Sequence, residues 1–448
     1  MCSMLLRREK FGGIAAQLGG DALRLLDHIG YTTVEGIALS LSDAEIQQRT
    51  LAKHPTAKST RIAKTILKFR NLLDKPETWN DIEYDGRDEG HLDFPALSYP
   101  LDMSWEITRR CNQLCKHCYN NSTASGSHPS WEQLETVLDE LSAVQLRTVT
   151  VTGGEPMMRR DFRRFSERLL KIAHNRILSS NGTLITEDNI GWLSEIYKQA
   201  SISIDVNEEN LYEDFRGKLG TYKKCIEGIS LLRRYDVDVL AQTTLSSMNI
   251  DRIEEMAEFL LSLGVRSWSV RLPFNSGRAT HNHDVFLSRP TLMDRAKYLS
   301  DLREKYAPHF DDFKIGVTYL TSYQEPYSPT KNPNKLMTCA AATVLATLNA
   351  DGTLAPCALF SETDFRSASI WTSSFKEQWQ NSQPFRMMRS VHLSEISGCG
   401  TCKNSLGNCG GGCRAKSYLA YGTIHRPDND CNYSANSGKQ KEKLLHDI

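Results

Sequence analysis

The placement of the cysteines constrains this chain more than any other feature. Twelve occur in 448 residues, and they are clustered. Cys111, Cys115 and Cys118 fall within eight residues, seven more fall between Cys339 and Cys431, and only Cys2 and Cys225 stand apart. In a reducing compartment such clusters bind metal more readily than they form disulfides. The compartment follows from the rest of the chain. Its first residues, Met1-Cys2-Ser3-Met4-Leu5-Leu6-Arg7-Arg8, lack a secretory signal's order of charge, apolar stretch and small-residue cleavage site, and no run approaches the ~18 apolar residues that span a bilayer. A cytoplasmic protein without a membrane partner is expected. The 54 basic residues balance 54 acidic ones, which leaves no electrostatic footprint for nucleic acid, and 40% hydrophobic residues are enough to build a core.

From about residue 101 the pattern alternates strand and helix. The spacing predicts strands at 103–107, 148–151, 176–178, 201–204, 237–243 and 267–272, with helices near 130–144, 161–173, 186–197, 221–234 and 250–263. Repeated βα units imply a parallel sheet, with chemistry on loops at the C-terminal strand ends. Residues 1–80 read as a small α+β unit, with turns at Gly12-Gly13 and Gly19-Gly20 and helical patterns over 33–50 and 60–73. Residues 81–100 read as a linker. The barrel is expected over 101–320 and a cysteine-rich, loop-rich domain over 321–448, too irregular to supply a further barrel segment and dependent on metal to hold together.

Cys111-x3-Cys115-x2-Cys118 follows directly on the first expected strand. Three thiolates suit zinc, for which His117 offers a fourth ligand, or an iron–sulfur cluster with one open iron. A C-x3-C-x2-C loop in this position, followed by an aromatic (Tyr119), resembles the radical S-adenosylmethionine (SAM) superfamily. The resemblance continues in chain order. Gly153-Gly154-Glu155-Pro156 ends the second strand, like the family's GGEP motif that binds the SAM amino group. Ser180 and Asn181 end the third, like its ribose contact, and Ser203 and Arg216 match the positions that hold the SAM carboxylate. Gly277-Arg278-Ala279 after the sixth strand also fits the family pattern. The fold so implied is a partial (β/α)6 TIM-like barrel.

The second cluster, Cys339, Cys357, Cys399-x2-Cys402-x6-Cys409-x3-Cys413 and Cys431, resembles the seven-cysteine SPASM extension, with one residue more than usual between Cys402 and Cys409. The resemblance assigns Cys399, Cys402, Cys409 and Cys431 to an outer auxiliary cluster and Cys339, Cys357 and Cys413 to an inner one. Positions 340–348 hold no cysteine, so the inner cluster is expected to have an open iron, or a non-cysteine or substrate-derived ligand. Three [4Fe-4S] clusters are thus implied. One would reduce SAM to a 5′-deoxyadenosyl radical that abstracts hydrogen, fed by an external one-electron reductant such as flavodoxin or ferredoxin. The other two are able to take up the electron left on the substrate. Paired zinc ribbons are the alternative for the second set taken alone.

Leu6-Arg7-Arg8-Glu9-Lys10-Phe11-Gly12-Gly13 resembles the start of the winged-helix-like element with which ribosomal peptide maturases grip a leader peptide as an added strand. The expected substrate is therefore a ribosomally made precursor peptide, which would be cross-linked through a thioether or carbon–carbon bond, or have part of its backbone excised. Tetrapyrrole side-chain modification is the alternative enzyme reading, and a non-catalytic metal scaffold is the third. Cys225 reads as a packed thiol, and His281 and His283 as a solvated loop. No catalytic base is evident from the sequence.

Overall fold

A computed structural model describes residues 41–53, 59–60, 62–63, 66–67, 97, 99–142, 144, 146–315, 339–400, 402, 411–428 and 431. The leader-grip pattern at 6–13 and most of the expected linker lie outside these residues. Within the first expected domain, α1 (Asp43–Lys53) buries Ile46, and Ile62 and Ile66 are also buried.

Seven parallel strands follow one another through β1 (Asp102–Glu106), β2 (Leu146–Thr152), β3 (Ala173–Ser180), β4 (Gln199–Ser203), β5 (Asp238–Thr244), β6 (Ser267–Arg271) and β7 (Asp312–Ile315). Helices α2 (Trp131–Ser142), α3 (Phe162–Leu169), α4 (Glu187–Ile196), α5 (Glu209–Arg216), α6 (Tyr222–Arg234), α7 (Ile253–Ser262) and α8 (Arg289–Tyr306) lie between them. The six strands expected from the sequence are all present. The seventh, α5 and α8 were not expected, because short or charge-rich segments such as Asp312–Ile315 and Arg289–Tyr306 carry little apolar periodicity.

The C-terminal region departs from expectation more sharply. It supplies β8 (Leu345–Leu348), which pairs in parallel with β1 through Met103↔Ala346 and Trp105↔Leu348, and β9 (Leu354–Ala355), which pairs antiparallel with β8. The sheet order is β7-β6-β5-β4-β3-β2-β1-β8-β9. The expectation that the cysteine-rich region adds nothing to the barrel sheet is therefore corrected. Without β8, the β1 edge would present unpaired backbone groups beside the first cysteine loop. Helices α9 (Phe375–Asn381), α10 (Gln383–Ser390) and α11 (Arg414–Tyr421) complete the region. Glu140 of α2 accepts the backbone N–H groups of Phe375 and Lys376 at 3.1 and 2.9 Å, capping α9 from the barrel.

Side-chain alternation divides the sheet into two faces. Met103 and Trp105, Val149 and Val151, Ala200 and Ile202, Val239 and Ala241, and Trp268 and Val270 are buried in the core beneath the helices, with Trp105 edge-on to Phe165 at 5.0 Å. Register places Ser104 opposite Thr150, Ser179 opposite Ser201, Ser203 opposite Gln242, and Gln242 opposite Ser269, all on the other face. Branched aliphatic side chains fill the interior of a closed TIM barrel. Here hydroxyl and amide side chains predominate on the inner face, with Ile177, Leu240 and Leu345 among its apolar members, and much of it is only half-buried. Such a lining suits a polar ligand.

Candidate active site

The three first cysteines lie on the loop after β1, and two other segments brace that loop. The end of α5 accepts Leu114 N–H at Arg216 O (3.0 Å) and Lys116 N–H at Phe215 O (2.9 Å), so carbonyls that a helix terminus leaves open are satisfied by the cysteine loop. From the other side, Arg278 donates from Nε to Cys115 O (2.9 Å), from Nη1 to Asn121 Oδ1 (3.1 Å) and from Nη2 to Ser122 O (2.8 Å), and its backbone N–H reaches Cys118 O (2.9 Å). Gly277, at φ +58°, makes this approach possible: a Cβ there would sit 2.3 Å from Tyr119 O. The Gly277-Arg278-Ala279 motif is thus a clamp on the cysteine loop. His117 stacks on Phe215 with centroids 4.5 Å apart, and burial pushes its imidazole down to about 4. Its buried Nδ1 has no hydrogen-bond partner among the described residues.

The sulfurs share one neighbourhood. Burial, reinforced by Cys115, Glu155 and Cys118, pushes the Cys111 thiol up to about 12, and burial also raises Cys115. These thiols must lose their protons when a metal binds. Among the described residues, no three His, Cys, Asp or Glu side chains converge on single-ion spacing.

Thr108 and Gly153 meet backbone to backbone where β1 and β2 end. Gly153, at φ +148°, would place a Cβ 2.2 Å from Thr108 O. Gly154 N–H and Glu155 N–H donate to Thr108 O and Arg110 O, both at 2.7 Å. These glycines therefore join the strand end to the cysteine loop as well as exposing backbone. The Glu155 side chain is fully buried. It accepts from Ser180 Oγ (2.9 Å), Asn181 N–H (2.9 Å) and Met157 N–H (3.3 Å), and burial still pushes it up to about 7. Such a carboxyl is poised to ionise against a cation. Pro156 follows it, opening a short turn over 156–158. Asn181 Nδ2 reaches Asn112 Oδ1 at 2.8 Å, tying the third strand's end to the cysteine loop. Arg216 is buried and ion-paired with Asp205 at 2.5 Å, and its Nη1 stands 3.8 Å from Cys115 Sγ. Its Nε, also buried, has no hydrogen-bond partner among the described residues. Ser203, half-buried, is the last residue of β4 on the inner face.

The sequence reading passed over Glu106, which ends β1 on the same inner face. It is fully buried, and desolvation raises its pKa despite hydrogen bonds from Tyr119 Oη (2.8 Å) and Asn120 Nδ2 (3.4 Å). Its Oε2 has no partner among the described residues. An acidic residue in a run otherwise suited to a buried strand was the signal. Arg109, three residues on, pairs with Glu362, five residues beyond Cys357. The first cysteine loop and the second cysteine set are thereby linked.

In the second set, Cys339, Cys357 and Cys413 are electrostatic neighbours. Burial, together with Cys339 and Cys413, pushes the Cys357 thiol up to about 12, and burial, with Asp428 and Cys339 among the other causes, raises Cys413. Cys413 immediately precedes α11, and its N–H donates to Asp428 Oδ2 at 2.9 Å. Of the outer set, Cys402 N–H donates to Cys399 O (3.2 Å) and Cys431 N–H to Asp428 O (2.9 Å), whereas Cys409 lies outside the described residues. Cys225 is fully buried against Gly182, as a packed thiol should be, and His281 and His283 are exposed.

Known proteins resemble this arrangement. Residues 105–260 match the radical SAM superfamily, and residues 339–403 match an iron–sulfur cluster-binding domain, SPASM. An AdoMet-dependent heme synthase of Oleidesulfovibrio alaskensis is 27% identical over 346 residues, covering 74% of this chain and 87% of the relative. The subtilosin biosynthesis protein AlbA of Bacillus subtilis is 25% identical over 352 residues, covering 78% and 73%. The crystal structure of Streptococcus suis SuiB bound to precursor peptide SuiA shares the fold, with a TM-score of 0.63 at 14% identity over 90% of this chain and 92% of that one. The chain is a radical SAM enzyme with a C-terminal SPASM domain.

Proposed function

We propose that this enzyme modifies a ribosomally made precursor peptide, installing a thioether or carbon–carbon cross-link or excising backbone. The observation that carries this reading is likeness to SuiB, a protein captured with a precursor peptide, across nine-tenths of both chains, well beyond the barrel. In this reading Cys111, Cys115 and Cys118 hold a four-iron cluster with one iron open. The donor set fits: three half-buried thiols on one braced loop provide soft ligands. When bound there, SAM and the reduced cluster supply a 5′-deoxyadenosyl radical.

The chain's own residues do the rest. Glu155, once ionised, would receive the SAM ammonium beside the Gly153 and Gly154 backbone. Ser180 and Asn181 fix Glu155 and stand at the ribose side, and Tyr119 flanks the cluster loop. Asp205 holds Arg216, whose Nε has no partner among the described residues; that Nε, with Ser203, would meet the SAM carboxylate. Cys339, Cys357 and Cys413 hold an inner auxiliary cluster short of one cysteine, and Cys399, Cys402, Cys409 and Cys431 an outer one. A flavodoxin or ferredoxin would supply electrons, and residues 1–80 would hold the leader.

Co-expression with a short open reading frame encoded beside the gene tests the reading by mass. Loss of two hydrogens marks a cross-link, and a larger loss marks excision. An unchanged peptide, with SAM cleavage stimulated instead by a haem precursor, favours tetrapyrrole modification, the reading that the sequence likeness to heme synthases supports.

A further inference from the structure

Three arginines lie on the strands of the sheet, and two of them are engaged by an ion pair or by several carbonyls. Arg147 pairs with Asp102, and Arg176 donates to the carbonyls of Ile196, Ala173 and His174. Arg271, the last residue of β6, is not. Trp268 and Val270 point into the helix-covered core, so Ser269 and Arg271 share the inner face, where Arg271 stands opposite Thr244. Its Nε donates to Ser269 Oγ at 3.1 Å, which fixes the plane of the guanidinium. Its two terminal nitrogens make no hydrogen bond or ion pair among the described residues. Partial burial lowers its pKa, and no carboxylate offsets that effect, yet the residue as a whole is exposed. The chain running on from β6 leads to the Arg278 clamp, so this cation stands at the same end of the sheet as the cysteine loop.

We propose that Arg271, oriented by Ser269, is the anchor for a carboxylate of the substrate on the inner face of the barrel. A planar fork with both terminal nitrogens free matches a carboxylate through two parallel hydrogen bonds, and hydroxyl and amide neighbours supply no competing charge. The inference rests on the reading that the inner face receives the substrate. The carboxylate is that of an acidic side chain or C-terminus of a peptide. A tetrapyrrole propionate offers the same chemistry.

The test uses the reconstituted enzyme and its Arg271→Met and Arg271→Lys variants, with iron content and circular dichroism confirming fold and clusters. Three probes are titrated: SAM; the precursor peptide encoded beside the gene, with its core Asp and Glu residues and C-terminal carboxylate intact or converted to amides; and haem against its dimethyl ester. The expected result is peptide affinity weakened roughly ten- to hundredfold in Arg271→Met, partly kept in Arg271→Lys, with no further loss when the amidated peptide is used. SAM affinity should not change. If haem rather than peptide shows this pattern, and esterification removes it, the carboxylate subsite stands and the peptide reading falls. If the peptide is processed normally by Arg271→Met, the peptide reading stands and the subsite is overturned. Weakened SAM binding, or the absence of a carboxylate-dependent effect with both substrate probes, also overturns it.

Discussion

The two cysteine regions solve one problem in different ways. The first puts three thiols within eight residues and relies on neighbours to hold the loop: the end of α5 from one side, and Gly277 and Arg278 from the other. The second spreads its thiols over Cys339 to Cys431 and brings Cys339, Cys357 and Cys413 together only through the fold. A local set can be held by bracing one loop. A dispersed set needs the sheet extension of β8 and β9 and the docking of α9 on Glu140. Loop closure over long separations costs entropy, which tertiary contacts or the metal itself must offset.

The largest effect should separate the two regions by chemistry. Cys115→Ala is expected to abolish 5′-deoxyadenosine release. Cys357→Ala should still cleave SAM but yield no mature peptide, as read by mass spectrometry of both products. If Cys357→Ala also stops SAM cleavage, the regions are not functionally separable. Next is the clamp. Arg278→Met removes three side-chain hydrogen bonds from a charged donor and should cost about 3 kcal/mol in denaturant unfolding, with iron lost from the first site before the second. Equal loss from both would contradict local bracing.

A smaller effect follows from Glu155. Burial holds its pKa near 7, so below that value it is neutral and a poor partner for an ammonium. SAM affinity should therefore tighten about tenfold between pH 6 and pH 8, and Glu155→Gln should bind more weakly with a flat profile. A wild-type affinity that does not vary with pH would remove Glu155 from the ammonium site. The smallest effect tests the second region's docking: Glu140→Ala should lower stability by about 1 kcal/mol through loss of the α9 cap, leaving SAM cleavage intact.

Much of this was legible beforehand, for identifiable reasons. Strands such as Thr148–Val151 and Ser267–Leu272 and helices such as Tyr222–Arg234 have clear periods and boundaries. The first cysteine loop and Gly153-Gly154-Glu155 are contiguous, so spacing alone exposes them. Glu106 and Arg271 were not singled out. Each is a single charged residue at a strand end, and its meaning depends on which face it occupies and on what surrounds it.

The sequence by itself determined the βα alternation, the metal-binding character of both cysteine sets and the glutamate at the end of β2, because periodicity and ligand spacing are local properties. Only the tertiary structure decided that the cysteine-rich region lends a strand to the barrel and that Arg278 clamps the first loop. It alone showed that Glu155 and Glu106 are buried carboxyls with raised pKa, and that Arg271 lacks a counter-charge among the described residues. Edge pairing, desolvation and charge balance arise from residues far apart in the chain, so no local pattern records them.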